Sequence, residues 1–431
     1  MSLAASKPAP GLDGLYSKLT IAALVFFAAL ETAYFVLSGV PSFFNPSLDF
    51  LGNAVGRDFI TTWMSGRSLF GYGPASLFDH VIYNNALRVM LGPNFPEHFW
   101  SYPPHLLLFT WPLGMMPYLA AYLLWCALGI ALYSIAGAAF LRREHLLFAV
   151  AAPAVAVCVF FGQNGFYAAA LLIGGFALLD RWPLLAGVLF AILTVRPQFA
   201  FLLPVMLLVS GRWAAILSAI VVTGGLAAGT YYFFGPEVWT DFVHKVAPQQ
   251  IWLLQNGDGL LSLTVSSVFF AARLVGLPLD LGWNLQAVVS FVALAAVIWT
   301  YLQKRDPLLS FALLVTAIFL ASPYLFNYDM VVLSFVVALM RQRGGNSLLD
   351  HILGLLVWTL PVSMMLLAVI HIPLAPIVLL AFGGRLLWRL AHEAEDRAAP
   401  AAEPSMTSEA PPPPVPESAA PEVTAPEPRV L

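Results

Sequence analysis

Residues 213–234 read WAAILSAIVVTGGLAAGTYYFF, without one charged side chain. A run of this length and polarity meets the ~20 residues that a helix needs to cross a bilayer's hydrocarbon core. In lipid every backbone N–H and C=O must be bonded internally, so such a run is helix. Comparable runs lie on both sides: Leu15–Leu37, Tyr118–Leu141, Leu146–Phe161, Phe166–Leu179, Pro183–Val195, Phe199–Val209, Asn284–Tyr301, Leu308–Leu320, Tyr328–Met340, Ile352–Ile370 and Leu374–Leu390. The expected fold is an all-α polytopic membrane protein of roughly a dozen spans. Several runs are shorter than a straight crossing requires, and Pro183–Val209 also reads as a broken hairpin.

Composition carries the same message. Of 431 residues, 60% are hydrophobic and only 10% charged, with a mean hydropathy of +0.82. A water-soluble domain needs about 25% charged residues to cover its surface, so lipid is the solvent for most of this chain. The net charge of -3 argues against nucleic acid as a partner. Cys126 and Cys158 sit in apolar runs without metal or redox spacing and read as packing residues. The first apolar run has no small-residue cleavage site behind it and reads as a retained span.

Basic residues set the expected orientation. With residues 1–14 cytoplasmic and the spans alternating, one side collects Arg142, Arg143, Arg181, Arg212, Lys304, Arg305, Arg341, Arg343, Arg385 and Arg389. That excess marks cytoplasmic connections. The other side holds two long loops, about 40–116 and 235–283. Val81–Leu91 and Leu260–Val275 are apolar enough to lie as interfacial helices, the second alternatively as a re-entrant segment. Leu106–Leu113 is too short to span and reads as a half-inserted helix. The membrane domain is thus expected over residues 15–397. Residues 398–431, rich in Pro, Ala and Glu, are expected to form a disordered cytoplasmic tail.

Polar residues beside a membrane are costly unless paired or used. Four clusters fall on the side of the long loops: Arg57-Asp58-Phe59, Gly162-Gln163-Asn164-Gly165, Arg196-Pro197-Gln198 and Ser322 through Asp329. Each has a structural alternative. Arg57 and Asp58 read equally as an interfacial ion pair, Gln163 and Asn164 as helix caps, and Asp329 as a helix N-terminal residue. Arg196 runs against the charge bias and points to an anionic ligand. His80, His98 and His105 lack metal-ligand spacing.

Taken in order, these motifs resemble a known family. Asp58-Phe59, Trp63, Gly66-Arg67, Leu77-Phe78-Asp79, Tyr102-Pro103-Pro104, Pro112-Leu113, Pro117-Tyr118, Gly162-Gln163-Asn164, Arg196-Pro197-Gln198 and Ser322-Pro323-Tyr324 follow its pattern from Asp58 to Asp329. The family is glycosyltransferase family 87, bacterial polyprenyl-phosphate-sugar-dependent enzymes of the GT-C fold, like the mycobacterial phosphatidylinositol-mannoside mannosyltransferase. The resemblance implies transfer of a hexose, mannose in the best-known member, from a polyprenyl-phosphate donor to a hydroxyl of a lipid or envelope glycan. It places the reaction on the extracytoplasmic face of the bacterial plasma membrane.

Under that resemblance Asp58 is the general base of an inverting displacement, which neighbouring Arg57 would help to keep ionised. Arg196, with Arg67, Lys245 and Arg273 as lesser candidates, would stabilise the departing lipid phosphate. Gln163, Asn164 and Gln198 are candidates to hold sugar hydroxyls, and Trp63, Trp100 and Tyr102 to face the ring. No DxD motif is present, so metal-independent activity without a cofactor is expected. Many relatives carry Trp and His where this chain has Asn327-Tyr328-Asp329, which leaves the roles of those residues open. A lipid or solute transporter or flippase, and a non-catalytic assembly partner in the envelope, are the competing functions. A transporter would favour inverted repeats and ionisable residues at mid-span, and the sequence carries no internal repeat.

Overall fold

A computed structural model describes residues 12–38, 48–49 and 51–398. The expected tail lies outside the described residues, apart from Ala398 at the end of a helix. The chain divides into a body ending at Leu390 and a C-terminal unit, Ala391–Leu431. All that follows concerns the body. Among the described residues the regular structure is helical; pairing of the β type is confined to two isolated bridges, Leu48 with Ala54 and Val265 with Phe326.

Among the described residues, six helices are long and apolar enough to cross a membrane: Gly14–Leu37, Tyr118–Ala138, Trp213–Phe234, Leu279–Leu302, Leu348–Ala368 and Leu374–His392. Arg143–Val150 and Pro153–Phe161 make a seventh if taken together, bent by 47° at the break before Pro153. The protein is therefore a multi-pass membrane protein. The expected count of about a dozen spans, several of them short, is not confirmed by these helices. Gly165–Leu178, Pro183–Val195, Pro197–Val209 and Pro307–Ala321 are shorter apolar helices. Proline explains part of this: Pro197 and Pro204 interrupt the ladder where a longer helix would run.

Burial explains the rest. In Trp213–Phe234 only Ala215 and Thr230 are buried, so its flanks face the lipid. In Pro307–Ala321 every residue from Leu309 onwards is buried, and so is every residue from Val331 to Met340 in the Val331–Arg343 helix. A helix that is apolar all round belongs inside the protein, where its ends meet other segments and its length need not match the bilayer. Local signals start and stop these elements. Asp306 accepts from the N–H groups of Leu308 and Leu309 at 3.0 Å and precedes Pro307. Ser347 and Asp350 form a capping box at the start of Leu348–Ala368.

The first long loop is ordered over its described part. It carries helices Phe59–Phe70 and His80–Leu91, then short turns over Pro104–Leu106, Leu107–Thr110 and Trp111–Met115. Asp79 caps His80–Leu91, accepting from Val81 and Ile82 at 3.1 Å. Val81, Ile82 and Val89 stand exposed on that helix. Gly66 and Gly114 bring two backbones together: a Cβ on Gly66 would lie 2.6 Å from the Gly114 nitrogen. In the second loop the single helix expected over Leu260–Val275 is two, Leu260–Thr264 and Val268–Leu274. The break is the bridge of Val265 to Phe326, reinforced by Ser266, whose N–H and hydroxyl both donate to the Leu325 carbonyl at 2.9 and 3.0 Å. The second loop thus meets the connection between Pro307–Ala321 and Val331–Arg343.

Candidate functional site

The site is built on a strained turn. Gly56 and Arg57 both have positive φ, 80° and 47°. The second is unusual for a side chain of that size and is held by its surroundings. A Cβ on Gly56 would strike the Tyr122 ring at 2.7 Å. Arg57 turns away from the cavity and forms a buried ion pair with Asp49 at 2.9 Å, its guanidinium over the Phe160 ring. The turn delivers Asp58 to the start of Phe59–Phe70, where its side chain makes no cap hydrogen bond and is left for other partners.

A second turn meets the first. Gly162 ends Pro153–Phe161 in the left-handed conformation, and a Cβ there would lie 2.4 Å from that of Phe59 and 2.8 Å from the Gly56 carbonyl. Only glycine lets the two turns touch. Trp125 donates its ring N–H to the Gly162 carbonyl at 3.1 Å and fixes the peptide. The next residue is thereby aimed at Asp58. Gln163 Nε2 donates to Asp58 Oδ2 at 2.8 Å, and the Tyr102 hydroxyl donates to Gln163 Oε1 at 2.8 Å. Asp58 faces a cavity yet is closely surrounded by protein. Burial holds its carboxyl above the usual carboxylate range, and the Gln163 bond, His98 and Arg57 pull the other way without cancelling this. Arg57 thus acts in the expected direction, towards the ionised form, while burial outweighs it.

Arg196 lines the same cavity, in the break between Leu193–Val195 and Pro197–Ala200. It forms a buried ion pair with Asp329, and its guanidinium lies 5.9 Å from the Tyr102 ring centre and 5.8 Å from that of Tyr328. Asp329 also accepts from the Phe326 N–H at 3.0 Å. Arg196 Nε and Gln198 Oε1 are buried without a hydrogen-bond partner, on residues that line the cavity. Buried polar atoms are nearly always satisfied, so unpartnered ones beside a cavity point to a ligand. Close packing holds this wall in place: a Cβ on Gly165 would lie 2.3 Å from the Tyr328 carbonyl oxygen.

The cavity has a volume of about 440 Å³. It is lined from six stretches: 53–61, 96–102, 161–163, 195–198, 253–264 and 324–328. Of the residues singled out in sequence, it gathers Asp58, Tyr102, Gln163, Arg196, Gln198 and Tyr328. Asp329 and Asn327 stand behind the wall, Asn327 donating to the Pro361 carbonyl at 3.1 Å. Asn164 is buried at the start of Gly165–Leu178. Trp63 donates to the Met116 carbonyl at 3.0 Å, and Trp100 packs edge-on against Tyr102. The three remaining cations stand apart from the cavity lining. Arg67 is exposed over Trp63, Lys245 pairs with Asp241 at 3.1 Å, and Arg273 donates to the carbonyls of Leu254 and Gly257.

A carboxylate and a guanidinium facing one cavity, between buried aromatic rings, suit transfer of a polyol bearing a phosphate. A model of glycosyltransferase family 87 matches residues 100–323, just over half of the chain. The chain belongs to glycosyltransferase family 87. The resemblance expected from the motifs is thereby met, and the protein is a membrane glycosyltransferase. No curated protein and no solved structure matches it.

The match begins downstream of Asp58, and that residue is tied to the matched range through its contact with Gln163. Several lining residues carry no mark in the sequence reading: Asn53, Thr61, Glu97, Ser101 and Asp258; His98 stands there only as a histidine without metal-ligand spacing, and Tyr324 only within its motif. Adjacency was the available signal for Glu97, His98 and Ser101, which lead directly into Tyr102-Pro103-Pro104.

Proposed function

We propose that this glycosyltransferase moves a hexose, mannose being the first choice, from a polyprenyl-phosphate donor to a hydroxyl of a lipid or envelope-glycan acceptor. The observation that carries the reading is that Asp58 and Arg196 line one cavity. Asp58 Oδ2 is occupied by Gln163, which leaves Oδ1 to take the acceptor proton. The acceptor oxygen attacks the anomeric carbon as the bond from that carbon to the phosphate oxygen breaks. The electron pair leaves with the lipid monophosphate, and the configuration inverts. A raised carboxyl is a stronger base than an exposed one, as long as it is ionised at the working pH.

Arg196 supplies positive charge where the leaving phosphate gains negative charge. Asp329 takes part of that charge, but it also fixes the guanidinium and leaves the Nε edge free. Tyr102 and Tyr328 offer flat faces to a sugar ring, and Gln198 an acceptor for its hydroxyls. The scheme calls on no metal and no cofactor. Charge bias supports an extracytoplasmic cavity, with both termini in the cytoplasm of a bacterium and the chain in its plasma membrane.

Donor class is the test. Purified protein in nanodiscs is offered radiolabelled polyprenyl-phosphate mannose, glucose or arabinose, and separately nucleotide-linked sugars, with a bacterial lipid extract as acceptor. Labelled product from a polyprenyl-phosphate donor alone is expected. Product from nucleotide sugars alone would overturn the donor assignment.

A further inference from the structure

Asp58 must lose the proton it gains in each turnover, and one side of it is closed. Gln163 Nε2 is an amide donor, and beyond it stands the Tyr102 hydroxyl, already donating to Gln163. Neither can accept a proton from a carboxylic acid. Burial pushes the phenols of Tyr102 and Tyr324 up, so both stay protonated. Arg196 is permanently charged.

His98 lines the same cavity, and its placement is well fixed. Its N–H donates to Asn84 Oδ1 and its carbonyl accepts from Asn84 Nδ2, both at 2.9 Å, so one buried amide clamps the backbone. The ring stacks on Phe95 at 4.9 Å and 10°. Nδ1 lies 3.0 Å from the Pro96 carbonyl, which can only accept, so Nδ1 carries the hydrogen. In the neutral ring the lone pair is then on Nε2, for which the described residues supply no hydrogen-bond partner. The side chain is part-exposed and lines the same cavity as Asp58.

We propose that His98 is the proton outlet for Asp58, a role that rests on the transferase reading above. After the glycosidic bond forms, the proton on Asp58 passes through water in the shared cavity to Nε2 of His98 and from the imidazolium to bulk water, which returns the carboxylate. His98 acts through Asp58 and is a positioning residue for its recharging. The other charged groups around it leave this path open. Glu97 is engaged by Arg88 at 3.1 Å and by His80 at 3.3 Å, and Asp258 lies 3.4 Å from Arg273. Arg196 is held by Asp329.

The test is steady-state transfer from polyprenyl-phosphate mannose in nanodiscs, with His98→Ala and His98→Gln beside the wild type. His98→Ala should lower kcat by about 10–100-fold, within the range of a lost proton-transfer group, with the donor KM within twofold of wild type. Added imidazole should restore kcat of His98→Ala in proportion to its concentration and leave wild type unchanged. His98→Gln, which can still donate to Pro96, should stay slow. Full activity of His98→Ala at every pH, or full recovery in His98→Gln, would overturn the relay alone. Absence of transfer by wild type would overturn the parent reading and the relay together.

Discussion

Two buried Arg–Asp pairs, Arg57–Asp49 and Arg196–Asp329, lie near the same cavity and serve different ends. Asp49 takes Arg57, the Tyr34 hydroxyl at 3.1 Å and the N–H groups of Leu51 and Asn53. It is a knot that ties the first long loop to the first helix, and Arg57 does not reach the cavity lining. Asp329 takes Arg196 and one backbone N–H, and Arg196 presents its remaining edge beside the cavity between two tyrosines. A buried ion pair is weak evidence of stability and weaker evidence of function. What its free edge faces decides between them.

The largest expected effects come from breaking the two pairs in parallel. Arg196→Gln should lower kcat by about 10²–10³-fold, as loss of a preorganised charge does. Both it and Arg57→Gln should destabilise the fold by about 3–5 kcal/mol, because each leaves a buried aspartate unpaired. The double changes separate the roles. Arg57→Gln with Asp49→Asn should recover both stability and transfer, whereas Arg196→Gln with Asp329→Asn should recover stability only. Recovery of transfer in the second double variant would erase the distinction. Thermal melts beside transfer rates read both quantities.

Smaller effects sharpen the picture. Gln163→Leu removes the donor to Asp58 and should slow transfer about tenfold, with the acid limb of kcat moving up, since a hydrogen bond that lowers the carboxyl's pKa is lost. Gly162→Ala should cost about 1–3 kcal/mol from the left-handed backbone, and more from the contact with Phe59. Lys245→Gln and Arg67→Gln, on the surface away from the cavity, should leave transfer within about twofold of wild type.

Lipid-facing helices were legible because their solvent dictates their composition. Trp213–Phe234 has the same ends in sequence and structure, since nothing but lipid need be satisfied along most of it. The interior helices were not so plain. Val331–Arg343 begins three residues after the expected start, because Asn327–Met330 forms a tight turn that seats Asp329 against Arg196. Site residues came through where a motif paired a polar residue with glycine or proline, as in Gly162-Gln163 and Arg196-Pro197-Gln198. Partner choice did not: Arg57 stands next to Asp58 in sequence yet pairs with Asp49, because two consecutive positive φ angles turn it away. Nor was His98 visible, since its significance lies in a clamp from Asn84 and a shared cavity, neither of which leaves a spacing.

Asp58→Asn offers the most direct test of the cavity as the transfer site, followed as kcat for labelled sugar transfer alongside the melting temperature. Transfer should fall by about 10²–10⁴-fold, the range for a lost general base. The melting temperature at neutral pH should rise. A carboxyl raised by burial binds more protons folded than unfolded, so the native state loses stability as pH rises through its folded pKa, and asparagine removes that loss. Near-normal transfer by a folded Asp58→Asn protein would contradict the assignment of Asp58 as the base, and with it the placing of the reaction in this cavity.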